Sequence, residues 1–145
     1  MNNKLSVSVI LPIKTSKTKD FSDFFGKAIQ SLISQKVELE EILIVHTAEE
    51  SLITFLNEYD FGTLNVKKLL WEKAPNFSDQ VNFGIKNSST EWISIFEFDD
   101  EYSSIWFDNV KKYMLSYPNV QMFLPIVVET DEKGAFAGFT NEAVF

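Results

Sequence analysis

The sequence predicts an α/β domain built on a mostly parallel sheet with helices on both faces. Three observations carry this reading: short, nearly continuous aliphatic runs recur along the chain, helical apolar stripes fall between them, and the joins are short. With 145 residues, 45% of them hydrophobic and 14 of them Phe, the chain has enough apolar bulk for one globular domain spanning residues 1–145.

The elements follow in order. "SVSVILPI" carries Val7, Val9, Ile10, Leu11 and Ile13, the composition of a strand covered on both sides. Behind it Phe21, Phe24, Phe25, Ala28, Ile29, Leu32 and Ile33 recur at helical spacing, with Asp20 as the expected N-cap. "EEILIVHT" predicts a second buried strand, and Leu52, Ile53, Leu56 and Tyr59 a shorter helix after it. "NVKKLLW" reads as a third strand, and Asn76 caps an expected helix bearing Phe77, Val81 and Ile85. "EWISIFEF" is the fourth strand, Ile105, Trp106, Val110, Tyr113 and Met114 stripe a helix ending near "YPN", and "VQMFLPIVVE" is the final strand, where Pro125 implies an edge or a bulge.

Composition narrows the function. Without Cys there is no disulfide, thiolate metal site or thiol nucleophile. A formal charge of −8 argues against a sequence-independent grip on nucleic acid, which needs a basic surface. The apolar runs fall well short of the roughly 20 residues of a membrane span, and "MNNKLSVSV" lacks a signal-peptide layout. A cytoplasmic protein without a transmembrane segment is expected.

The chemistry concentrates at "FEFDDEY", where Glu97, Asp99, Asp100 and Glu101 crowd the end of the fourth strand. Ligands of open parallel sheets bind beyond the carboxyl ends of the strands. In an extended strand Glu97 and Asp99 face the same way about 7 Å apart, with Phe96 and Phe98 on the other side. Such a pair suits a hard divalent cation, Mn²⁺ or Mg²⁺, that keeps open positions for phosphate oxygens. The same acids also suit a solvated turn that favours the positive end of the following helix dipole.

In the order of its pieces the chain resembles the family 2 glycosyltransferases, inverting enzymes of GT-A fold that use nucleotide-diphosphate sugars. "SVSVILPIK" looks like the family's opening strand, "EEILIVHTAEE" takes the place of the strand ending in Asp-Asp-Gly-Ser, and "SDQVNFGIKNSSTEWISIFEFDDEY" is similar to Ala-Arg-Asn-x-Gly followed by a strand ending in Asp-x-Asp-Asp. Pro12, Asn82, Gly84, Asp99 and Asp100 coincide with the family's usual letters. The resemblance implies that Asp99 binds the metal bridging the donor's phosphates and that Glu97, on the first acid of that motif, shares it or approaches the ribose or sugar. Asp100 then either supports the metal-binding acids from behind or contacts the sugar, and Pro12, Ile13 and Lys14 lie where the first strand meets the nucleotide. Lys14 is placed to pair with a phosphate, although a solvated strand-end lysine is the commoner case.

Two departures matter. His46 and Thr47 stand where the family has its aspartates, so His46 is expected either to stack on or hydrogen-bond a base or to be an ordinary half-buried imidazole. Val81 replaces the arginine of the helix motif, leaving Asn82 and Gly84 to set how that helix lies on the sheet. The resemblance further implies an acceptor half carrying the general base beyond "GFTNEAVF", so these residues are expected to be the donor-binding part, incomplete at its C-terminus. Glu142 and Asp131 are the only late acids with a claim to the base role. The expected activity is metal-assisted transfer of a sugar from a nucleotide-diphosphate donor to a carbohydrate or other hydroxyl acceptor. The alternative is a catalytically degenerate module that binds nucleotide-sugar or a partner. A weaker third option, a nucleotidyltransferase, lacks a glycine-rich phosphate loop near the first strand.

Overall fold

The computed structural model describes residues 3–131 and 133–139. The chain divides into two compact units, Met1–Lys112 and Tyr113–Phe145. The first holds β1 (Lys4–Ile13), α1 (Phe21–Ile33), β2 (Glu38–Thr47), α2 (Glu50–Glu58), β3 (Val66–Trp71), α3 (Phe77–Lys86) and β4 (Trp92–Ile95), and α4 (Trp106–Ser116) begins in it. The strands form one sheet in the order β3-β2-β1-β4, and every pairing is parallel.

This order explains the layers. The chain steps from β1 to β2 to β3 in one direction, so right-handed crossovers place α1 and α2 on one face. It then crosses back to β4, which sends α3 to the other face. β1 and β2, at the centre, are buried through Val9, Ile10, Leu11, Ile13 and Ile42 to Val45, as their continuous apolar composition requires. On the α1 and α2 face Phe21, Phe25, Phe55 and Tyr59 interlock, with Phe25 edge-on to Phe55 at 5.2 Å and to Tyr59 at 4.9 Å. Asp20 occupies the N-cap position of α1 but in a left-handed conformation (φ 58°) and without a side-chain cap, so backbone bonds from Asp23 and Phe24 to Asp20 O start the helix. Asn76 does cap α3, accepting from Asp79 N–H at 3.2 Å.

Two contacts hold α3 and the strand entrances. A Cβ on Gly84 would lie 2.5 Å from Ile10 Cγ2 and 3.2 Å from Val45 Cγ2, so glycine permits the close approach of α3 to β1 and β2. Asn82, the other motif residue expected to set that approach, is exposed. At the amino end of the sheet the buried Glu41 carboxylate accepts from Ser8 Oγ at 2.6 Å, from Ser89 N–H at 2.7 Å and from Lys67 Nζ. Three strands and the segment entering β4 therefore meet on one carboxylate. Burial pushes its pKa up, but the bonds from Lys67, Ser8 and Ser89 outweigh that and hold it at about 2.

Two expected strands differ. β4 stops at Ile95 rather than Phe98, because residues Glu97 to Asp100 form a turn closed by Asp100 N–H to Glu97 O at 3.2 Å. Glu97 and Asp99 are therefore not two alternate positions of one extended strand, and the 7 Å same-face geometry does not apply. Continuing the ladder would have drawn the Glu97 carboxylate along the covered sheet, and the turn keeps it in water. In the second unit no strand forms over Gln121–Val127, where Pro125 removes a ladder donor and Met122, Leu124 and Ile126 are exposed. The strand there is the short β5 (Val128–Thr130), antiparallel to β6 (Phe136–Phe139). Among the described residues no helix is long and apolar enough to cross a membrane.

Two outcomes are expected. Gly84→Ala should destabilise by about 1–3 kcal/mol through overpacking against the stiff Ile10, and in denaturant titrations Ile10→Ala should cost less in the Gly84→Ala background than in wild type. Glu41→Gln should cost about 1–3 kcal/mol at neutral pH. Because the folded pKa lies below the ordinary 4.5, wild-type stability from Glu41 is full above 4.5 and lost toward 2, so the gap between the two proteins should close over that window.

Candidate functional site

The carboxyl ends of β1, β2 and β4 lie along one end of the sheet, with β1 in the middle. Neighbouring strands are about 4.8 Å apart, so the β2 and β4 exits stand roughly 10 Å from each other, a span suited to a ligand laid across β1.

At the β4 exit Phe96 continues the ladder by one bond, its N–H donating to Ile10 O at 2.9 Å. Phe96 is buried and stacked on Tyr102 at 4.5 Å, and Phe98 packs 5.1 Å from Phe21. These two rings anchor the turn and leave Glu97, Asp99, Asp100 and Glu101 exposed around it. None of the ion pairs among the described residues includes any of the four. The Glu97 carboxyl is pushed up from its ordinary value, first by partial loss of solvent and then by the charges of Asp100 and Asp99. Asp100 is raised by desolvation and then by Asp99. These are acids crowded without compensation, the opposite of Glu41.

At the β1 and β2 exits Pro12 and Ile13 are buried, so their side chains belong to the core and only their backbone can border a ligand. Lys14 is exposed. His46 is paired in register with Ile13 and is 7% exposed. Its Nδ1 lies 2.9 Å from Thr47 O, which accepts from an Nδ1–H tautomer and leaves Nε2 as the accepting nitrogen. Among the described residues Nε2 has no hydrogen-bond partner, yet no unpartnered side-chain nitrogen or oxygen is fully buried, so this is an atom through which the ring meets solvent. Thr47 Oγ1 donates to Lys14 O at 2.9 Å, so the hydroxyl works as a stitch between the exits.

Gln80 completes the end of the sheet, a role that the sequence motifs do not mark. It is 2% exposed, and its Nε2 donates to both Ile13 O and Val45 O at 3.1 Å. The polar contact from α3 to the strand exits thus comes from Gln80, one residue before the Val81 that replaces the family's arginine. A signal is present: Gln80 lies four residues before Gly84 and beside Val81, so it shares the helical phase of the packed face, whereas Phe77 and Ile85 of the expected stripe are exposed. Asp131 has a structural task, its Oδ1 accepting from Lys133 and Ala135 N–H at 2.9 Å in the β5–β6 turn. Glu142 lies outside the described residues.

The metal question turns on the donor set. Among the described residues no three His, Cys, Asp or Glu side chains converge as a cage. One or two carboxylates from the 97–100 turn, with water and ligand oxygens making up the rest, is the incomplete all-oxygen set that Mg²⁺ or Mn²⁺ takes and that Zn²⁺ structural sites do not.

A parallel sheet with helices on both faces, with acids at one strand exit and a histidine two strands away, defines an open α/β domain. The family model for glycosyl transferase family 2 matches residues 8–140, and the chain belongs to that family. The structure is similar to that of TarS 1–349 from S. aureus, with TM-score 0.61 and 14% identity, covering 87% of this chain and 40% of that one. It is also similar to TarS 1–349 in complex with UDP-GlcNAc, with TM-score 0.61, 15% identity and coverage of 87% and 39%. For TarS 1–349 in complex with UDP the values are 0.59, 15%, 87% and 40%. The fold is of the GT-A type, and the chain spans about two fifths of the length of these structures. No curated protein matches it.

Glu97→Gln should raise the melting temperature at pH 7, since it removes a charge that the fold disfavours. The sign follows from linkage: a raised folded pKa penalises the folded state above that pKa and has no effect once both states are protonated. Thermal melts should therefore show the gain shrinking as pH falls through the raised pKa toward the ordinary 4.5 and absent below it.

Proposed function

We propose that this chain binds the diphosphate and nucleoside of a nucleotide-sugar across the exits of β4, β1 and β2, and serves transfer of the sugar to a hydroxyl acceptor with inversion. The observation that carries the reading is the turn from Glu97 to Asp100, whose uncompensated carboxylates stand at the ligand end of a GT-A sheet. Family membership and the UDP and UDP-GlcNAc complexes of TarS support the donor class.

Asp99, with Glu97, would hold Mn²⁺ or Mg²⁺. When bound, the ion supplies Lewis-acid stabilisation of the negative charge on a leaving diphosphate, worth several kcal/mol in general. The remaining work falls to the chain. Asp100, beside the metal pair, faces the sugar. Lys14, exposed at the end of β1, supplies a cation toward the phosphates. His46 Nε2 accepts a hydrogen bond from a base, and Gln80 and Thr47 keep the β1 and β2 exits in register beneath it.

A second reading, a module that binds donor without transferring sugar, is favoured by one observation. Asp131, one of the two late acids with a claim to the base role, spends Oδ1 on the β5–β6 turn.

Mn²⁺ with UDP should raise the melting temperature, by a stabilisation of about 2.7 kcal/mol at one hundred times Kd. Asp99→Asn should abolish the rise while leaving the ligand-free melt within about 0.5 kcal/mol, as for an exposed site. A panel of UDP, GDP, dTDP and CDP that shifts nothing would refute the donor site. Sugar release from UDP-GlcNAc, with or without an acceptor, separates the enzyme from the module.

A further inference from the structure

Glu49 is where the exits of β1 and β2 are joined most densely, and neither the composition nor the family resemblance assigns it a task. It precedes α2 in extended backbone (φ −65°, ψ 118°), and its carboxylate does not cap its own helix. It turns instead to the segment leaving β1. Thr15 Oγ1 donates to Oε2 at 2.6 Å, Ser16 N–H donates to Oε1 at 3.1 Å, and Ser16 Oγ donates to the same oxygen. Ser51 Oγ donates to Oε1 at 2.7 Å and lies 3.0 Å from Ser16 Oγ. The stitch from Thr47 to Lys14 O lies beside this cluster, and Lys17 N–H donates back to Thr15 Oγ1 at 3.1 Å. Each residue from Lys14 to Lys17 is thus held by a hydrogen bond to residues 47–51 or within the segment itself. The bonds from Ser16 and Thr15, in that order, keep the carboxyl at about 2, so the acceptor is charged at any working pH.

A loop that must be ordered by its ligand subtracts that ordering from the affinity, whereas a loop already held does not. We propose that Glu49 is a positioning residue whose carboxylate latches the β1 exit, Lys14 to Lys17, to the start of α2, so that a nucleoside diphosphate meets a preformed wall of the crevice. The proposal rests on the donor-site reading above.

Simple electrostatics makes the opposite prediction, because removing a negative charge near a diphosphate should strengthen binding. The test is UDP titration by calorimetry in Mn²⁺ on the full chain, comparing wild type, Glu49→Ala, the pair Thr15→Val with Ser16→Ala, and all three changes together. The pair keeps the Glu49 charge and removes the latch hydroxyls, and it carries the test should Glu49→Ala fail to fold. Glu49→Ala and the pair should each weaken UDP about tenfold, equivalent to about 1.4 kcal/mol, and the triple variant should be no weaker than either, since all act on one contact. Hydrogen exchange without ligand should quicken at residues 15–17 and stay unchanged in β1 and β2. Unchanged or tighter UDP binding, additive losses, or unaltered protection of residues 15–17 would overturn the latch. Wild type that binds none of the four nucleoside diphosphates would instead overturn the donor site, and the latch's role with it.

Discussion

The close approach of α3 to the centre of the sheet is the constraint on which the rest of this domain depends. Gly84 lets the helix backbone come so near to Ile10 and Val45 that no other side chain fits, and one helical turn earlier the same approach brings Gln80 within reach of two strand-end carbonyls. Parallel strands run out of ladder partners where they end, and buried carbonyls must still be satisfied. Gln80 meets that demand for Ile13 and Val45 at once, so the floor of the proposed site is a by-product of how a helix packs. The family's Gly in this helix thus has a steric explanation in this chain.

The two ends of the sheet handle acids in opposite ways. At the amino end, Glu41 is buried and fully partnered by Ser8, Ser89 and Lys67, and its pKa falls to about 2. At the carboxyl end, Glu97 and Asp100 stand close to other acids without an ion pair among the described residues, and their pKa values rise. Burial alone does not explain the difference, because it pushes all three upward. Partners decide the sign, and partners are present for Glu41 at the amino end and lacking among the described ion pairs for the acids at the carboxyl end.

Much of the fold is legible in the sequence. Continuous aliphatic runs and helical stripes located β1, α1, β2, α2, β3 and α3, because both periodicities arise from backbone geometry within a few residues. Asn76 was recognisable as a cap for the same local reason. Local pattern fails where a distant partner is needed. The run from Val120 to Glu129 has strand composition, but a strand exists only when another completes its hydrogen bonds, and here only its last residues pair with β6. The fourth strand stopped early because the charge of Glu97 had to remain in water, a cost that alternation alone does not register.

The order of residues by itself determined the parallel α/β class, the family and the acidic exit of the fourth strand, since each follows from letters adjacent in the chain. Only the tertiary structure decided which polar groups meet. Gln80 reaches across 67 residues to Ile13, Glu41 across 48 to Ser89, and Glu49 across 34 to Thr15. A hydrogen bond needs its atoms within about 3 Å in the right direction, and no local pattern encodes that between segments brought together by the packing of the whole sheet.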